Sequence, residues 1–189
     1  MSDPPRLPAP AASAVHVAGL VRPMVLADCE RVAEIRVRGW QTAYRGLIPQ
    51  SHLDSLSVPE DALRRRAHFE NAGENVVNLV AERAGTVVGW ACHGPYREGE
   101  RPTDDAELYA LYVDAAHHGS GVGHALLQES LRQLAARGHT RLYLWVIKGN
   151  TRARRFYERA GLRPDGTEEP FEVGGVAVPE VRYVGEVGG

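Results

Sequence analysis

The stretch Val113-Asp-Ala-Ala-His-His-Gly-Ser-Gly-Val-Gly123 sets glycines at three alternate positions, Gly119, Gly121 and Gly123, between a predicted strand and a predicted long helix. A strand, a glycine loop and a helix N-terminus together make an anion site. Unpaired N–H groups of the first helical turn point outward, the helix dipole adds partial positive charge, and the missing side chains let phosphate oxygens approach. A pyrophosphate suits that place, although the glycines alone also suit a tight connection. Spacing excludes two other phosphate binders. A dinucleotide fingerprint needs glycine at His124 or Leu126 and an acid about 20 residues later, whereas Leu131 to Tyr157 contains no Asp or Glu. A phosphate loop needs Gly-Lys-Ser/Thr, which does not occur. The acid-free segment carries Arg132, Arg137, Arg141, Lys148, Arg152, Arg154 and Arg155, which alone read as a solvated helix face.

The elements that must hold this loop follow from periodicity. Leu108 to Val113 reads as the strand before it, and Leu127, Leu131 and Leu134 mark the helix after it. Arg141 to Val146 is a further strand. Ala153, Phe156, Tyr157 and Ala160 then fall at i, i+3, i+4 and i+7, between a capping Asn150 or Thr151 and a terminating Gly161. Upstream, Leu20 to Met24 is a short strand. Asp28 is an N-cap candidate for a helix carrying Ala33, Val37, Trp40 and Tyr44, which Gly46 and Pro49 end. Ser57, Pro59 and Glu60 start another helix through Arg64, Arg65 and Arg66. Val76 to Pro95 is a hairpin turning at Ala84-Gly85, and strands are expected near Glu168 to Val173 and Ala177 to Tyr183. Residues 1–17, rich in Pro, Ala and Ser, are expected to form a disordered tail, with residues 18–189 as one α/β domain around a mixed sheet.

The 189 residues, 43% hydrophobic and 24% charged, support one globular domain with a substantial core. A net charge of -2 argues against broad binding to nucleic acid or anionic membranes. No apolar run approaches bilayer length and no secretory signal is recognisable, so a cytoplasmic protein is expected. Cys29 and Cys92 read as reduced core thiols. His117 and His118 are adjacent and lack the i, i+4 spacing of helical metal ligands, so no metal is expected.

At His118-Gly-Ser-Gly-Val-Gly123 the chain resembles the GNAT (GCN5-related N-acetyltransferase) superfamily, whose signature is Gln/Arg-x-x-Gly-x-Gly/Ala, and its run Trp40 to Pro49 resembles the small-molecule branch. His118 departs from the usual Gln or Arg. The resemblance continues in Glu107-Leu-Tyr-Ala-Leu-Tyr-Val113, in Asn150-Thr-Arg-Ala-Arg-Arg-Phe-Tyr157-Glu-Arg-Ala-Gly161, and in Trp40-Gln-Thr-Ala-Tyr-Arg-Gly-Leu-Ile-Pro49, covering approximately residues 20 to 185. It implies a single GNAT-like domain with a central, mixed, mostly antiparallel sheet flanked by helices. It also implies acetyl-CoA as the acetyl donor. Backbone groups of Leu111, Tyr112 and Val113 would pair with the pantetheine arm, the segment from His118 through Gly119, Ser120, Gly121, Val122 and Gly123 would hold the pyrophosphate, and Arg154 or Arg155 would meet phosphates. Asn150 either bonds the pantetheine arm or caps its helix.

Acyl transfer to an amine requires a neutral nucleophile, so a base is useful, and the resemblance assigns that role to Glu107, directly or through water. It assigns Tyr157 as the acid that protonates the departing sulfur, a residue whose spacing equally suits the core. A strand N–H near Leu111 to Val113 would polarise the carbonyl. Trp40, Tyr44 and Tyr96 are expected either to line the acceptor pocket or to pack. Glu98, Glu100, Asp104, Asp105 and Glu107 suggest a cationic acceptor. The expected reaction is direct acetyl transfer to a primary amine of a small molecule, with a homodimer left open. A protein or peptide acceptor and a non-catalytic acetyl-CoA sensor are the alternatives.

Overall fold

The computed structural model describes residues 21–97 and 104–188. The expected tail, with Glu98 and Glu100, lies outside them. The chain runs β1 (Val21–Pro23), α1 (Cys29–Ala43), α2 (Gln50–Ser55), α3 (Val58–Glu70), β2 (Val77–Arg83), β3 (Thr86–Pro95), β4 (Ala106–Val113), α4 (Val122–Ala136), β5 (Arg141–Ile147), α5 (Thr151–Arg159), β6 (Arg163–Val173) and β7 (Val176–Glu186). The seven strands form one sheet in the order β1-β2-β3-β4-β5-β7-β6, in which only the β4 and β5 neighbours are parallel. This is the mixed, mostly antiparallel sheet expected.

Strand alternation sorts the side chains into two layers. Leu79 and Ala81 of β2, with Leu142, Leu144 and Val146 of β5, pack under Val122, Leu126, Leu127 and Leu134 of α4. Val80, between the two β2 residues, points to the other face, where it meets Cys29, Val32 and Ile35 of α1. β3 is covered on both faces, which explains its nearly unbroken buried run from Val87 to His93. Both cysteines are buried free thiols.

Local signals were obeyed with one change of chemistry. Ser57 accepts from the N–H of Glu60 and Asn150 accepts from that of Ala153, as N-caps do. Asp28 stands at the start of α1 but makes no cap bond. Its carboxylate instead takes Arg22, at 2.7 and 3.0 Å, and the Val25 N–H. A two-toothed guanidinium outcompetes a single N–H as partner.

His93 of β3 is fully enclosed, and neither ring nitrogen has a hydrogen-bond partner among the described residues. Burial first, then Arg137 and His139, pull its pKa from 6.5 to about 4. A folded-state pKa below the unfolded one means that this stability is complete above about pH 6.5 and is lost as pH falls toward 4. Urea unfolding should therefore show a loss of about 3 kcal/mol over that window, missing in His93→Leu. An identical pH dependence in the two proteins would contradict it.

Candidate active site

β4 and β5 pair only at Ala106 with Leu142 and Glu107 with Tyr143, and then diverge. β5 stays zipped to β7 as far as Ile147 with Glu180, and β4 stays on β3 as far as Val113 with Gly89. The sheet is therefore split in its middle. β4 carries one residue more than β3 here, Tyr109, between Leu108 opposite His93 and Ala110 opposite Cys92. The Asp114 N–H donates to Val88 O at 2.9 Å, on the β3 side. By alternation the N–H groups of Leu111 and Val113 face the split and that of Tyr112 faces β3. A strand edge with open donors accepts an extended amide-bearing chain. His118 occupies one of its acceptors: the ring donates from Nε2 to Val113 O at 2.9 Å.

The loop that follows is held from outside. Asp114 accepts from the Ala116 N–H and from Arg31 of α1, and Arg83 donates to Ser120 O at 2.8 Å. Gly119 and Gly121 have φ of 76° and 87°, the left-handed region that favours glycine, and a Cβ on either would meet nothing within 4 Å. No side chain caps α4. Among the described residues, the N–H groups of Val122, Gly123 and His124 have no backbone acceptor. The loop thus combines an uncapped helix start, backbone room and fixed anchors, which is what a pyrophosphate requires.

At the split several phenols converge. Tyr157 of α5 lies in the core beneath the sheet, 5.1 Å from Phe156 and 6.3 Å from Tyr183 between ring centres. Burial, then the neighbouring Tyr112, raise its pKa above the usual phenol range. It therefore keeps its proton through neutral pH. Tyr44 is raised too, by burial and then by Tyr112, Tyr157 and Glu180. Trp40 donates to the Tyr112 hydroxyl at 2.7 Å and packs on Tyr44 and Phe171.

A cleft of about 600 Å³ opens beside the split, lined by Tyr96, Arg97, Glu107, Trp145, Phe171 and Glu180, with Glu169 and Glu172 from β6 at its wall. Tyr96 is thus a lining residue, whereas Trp40 packs against Phe171 and Tyr44 neighbours Tyr112 without lining the cleft. Glu107 is buried, and both its oxygens are engaged by Arg97, at 2.6 Å (Nη2) and 3.1 Å (Nε). Asp105 is turned away onto Arg141. Besides Glu107, the acids that line the cleft among the described residues are Glu169, Glu172 and Glu180 of the last hairpin. Sequence reasoning missed them because nothing in a two-residue strand period says which face will be lined.

On α5 the Asn150 oxygen caps the helix, and its NH₂ makes no bond among the described residues. Arg154 turns to β7, donating to the Tyr183 hydroxyl at 3.0 Å and to Lys148 O. Arg152, to which the sequence assigned no phosphate contact, is a cation near the loop, close enough to His118 to help burial lower that ring's pKa.

Residues 37–162 match the model of the acetyltransferase (GNAT) family. The chain belongs to this family. An uncharacterised N-acetyltransferase of Bacillus subtilis, YuaI, is 32% identical over 161 residues, 85% of this chain and 89% of that protein. A mycothiol acetyltransferase of Thermobispora bispora is 37% identical over 108 residues, 54% of this chain but 35% of that protein. Among solved structures, a ribosomal-protein-alanine N-acetyltransferase of Brucella melitensis superposes with a TM-score of 0.69 over 88% of this chain and 99% of that one, at 22% identity. The glycine loop and the strands that part beside it lie within the residues that the family model matches. The relatives' names differ in acceptor, so the acceptor is read from the cleft. No helix among the described residues is long and apolar enough to cross a membrane.

Proposed function

We propose that this acetyltransferase moves the acetyl group of acetyl-CoA onto a primary amine of a small cationic molecule, by direct attack. The observation that carries this reading is the split itself. It presents an open strand edge and an uncapped glycine loop for a coenzyme, and an acid-lined cleft enters the same gap. The residues present fit the donor. Leu111 and Val113 would offer N–H groups to the pantetheine arm and thioester carbonyl, Val122, Gly123 and His124 would offer theirs to the pyrophosphate, and the Asn150 NH₂ would be a further donor for the arm. Arg152 rather than Arg154 supplies positive charge near the loop. The donor supplies an activated acyl group, and the protein's residues supply position and protons.

Glu107, Glu169, Glu172 and Glu180 draw and orient an ammonium in the cleft, and Tyr96, Trp145 and Phe171 give it aromatic walls. Glu107 with Arg97 forms the floor of that cleft. Tyr157 holds the proton that the departing sulfur requires. A small acceptor is also in keeping with the stretch shared with a mycothiol acetyltransferase.

An amine panel assayed by release of coenzyme A tests this. Diamines and aminoglycosides should exceed anionic amino acids by roughly tenfold or more in kcat/KM, since one charge contact inside a cleft is worth about 1.4 kcal/mol or more. Faster reaction of the anionic amino acids would overturn the acceptor class. Preference for a peptide α-amine would point to a protein acceptor instead.

A further inference from the structure

Glu107 and Glu180 line the same cleft from different strands, β4 and β7. β4 and β5 are parallel and in register at Glu107 with Tyr143. Four residues further along each strand come Leu111 and Ile147, and Glu180 is the β7 partner of Ile147. Glu180 therefore stands at the end of β5 where β4 has already parted from it, four residues beyond the last paired position, which is that of Glu107. Their partners differ as well. Glu107 is tied to Arg97 through both oxygens. Glu180 makes no hydrogen bond or ion pair among the described residues, although it is partly enclosed between β5, β6 and the end of α1.

We propose that Glu180, not Glu107, takes the proton from the acceptor's ammonium before attack. This assignment rests on the acetyl-transfer reading above. The groups facing Glu180 are Glu169 and Glu172 of β6, Glu107 with Arg97, Tyr44 beyond α1, and Arg182 on its own strand, which is held by Asp165 and Tyr96. Burial, then the like charges of Glu169 and Glu107, raise the Glu180 pKa from 4.5 to about 7. A base with that affinity accepts a proton and releases it again near neutral pH. One proton passes from R–NH₃⁺ to the Glu180 carboxylate. The neutral amine then forms the C–N bond as the C–S bond breaks, and the Tyr157 hydroxyl protonates the leaving thiolate. The second amine proton, shed as the amide forms, restores the phenol through solvent. Glu180 returns its proton to bulk water, so the balance is amide, free thiol and one proton.

The test is kcat against pH for wild type, Glu180→Gln and Glu107→Gln at saturating acetyl-CoA and diamine, alongside ¹³C-glutamate titration of the wild-type protein. Wild type should show an acid limb and a carboxyl resonance titrating near pH 7. Glu180→Gln should lose both, fall about 10²-fold in kcat at pH 7, and keep its melting shift with acetyl-CoA. Glu107→Gln should keep the limb, displaced to lower pH because a like charge has gone. No wild-type carboxyl titrating above pH 6, or a limb abolished by Glu107→Gln alone, overturns the assignment to Glu180. A folded wild type that binds acetyl-CoA yet acetylates no amine overturns the acetyl-transfer reading, and this assignment with it.

Discussion

Tyr157→Phe is expected to lower turnover by roughly 10²–10⁴, equivalent to about 3–5 kcal/mol of barrier, because it deletes the proton donor for the departing thiolate and nothing else. The ring sits among core side chains and stays there, since phenylalanine keeps its shape and its contacts with Phe156 and Tyr183. The lost hydroxyl should cost no more than about 1 kcal/mol of stability. Acetyl-CoA affinity should change little. The distinguishing measurement is the single-turnover rate at saturating substrates, taken with a melting curve. A folded variant with chemistry within about twofold of wild type would reduce Tyr157 to packing. The raised pKa, caused first by burial and then by Tyr112, adds a second expectation. The basic limb of the wild-type rate should not fall at the ordinary phenol pKa of about 10, because the phenol is still protonated there.

The second large effect is on coenzyme binding, which Gly121→Glu is expected to abolish. Gly121 has φ of 87° and stands at the N-cap of α4, so any side chain there is strained, and a carboxylate would also meet the pyrophosphate with like charge. A Cβ at this position touches no protein atom within 4 Å, so the damage falls on the ligand's space rather than on the core. Acetyl-CoA at about 100 times its Kd should stabilise wild type by about 2.7 kcal/mol, and that shift in Tm should vanish in the variant. Gly121→Ala carries the backbone strain without the charge and should bind with an intermediate loss. An undiminished shift in Gly121→Glu would remove the loop from the binding site, whereas the expected result in calorimetry is a loss of binding heat in the variant only.

Much of the framework was legible because its signals are local. The Ala84-Gly85 turn, the Ser57 and Asn150 caps and the alternate glycines each act within a few residues, where backbone sterics and single hydrogen bonds decide. The strand before the glycine loop and the helix carrying Tyr157 follow from the same short-range patterns. Asp28 shows the limit: its position was right, but its carboxylate answers to Arg22, a competitor whose reach depended on how β1 packs. Arg154 shows it again, because one helix face was foreseen and its neighbour, β7 with Tyr183, was not.

What the sequence by itself determined is therefore the set of elements, their order and the place of the glycine loop between β4 and α4, since these depend on residue types at fixed short spacings. Only the tertiary structure decided that β4 and β5 lie side by side yet part after Glu107, and that β7 comes back between β5 and β6. That insertion puts Glu180 in the wall of the same cleft as Glu107 although 73 residues separate them in the chain. It also leaves Glu107, the acid most visible in sequence, locked to Arg97. Strand pairing joins residues that share no local signal, because ladder hydrogen bonds are made by backbone groups every residue carries. Which carboxylate faces the amine is accordingly a property of the sheet and not of any motif.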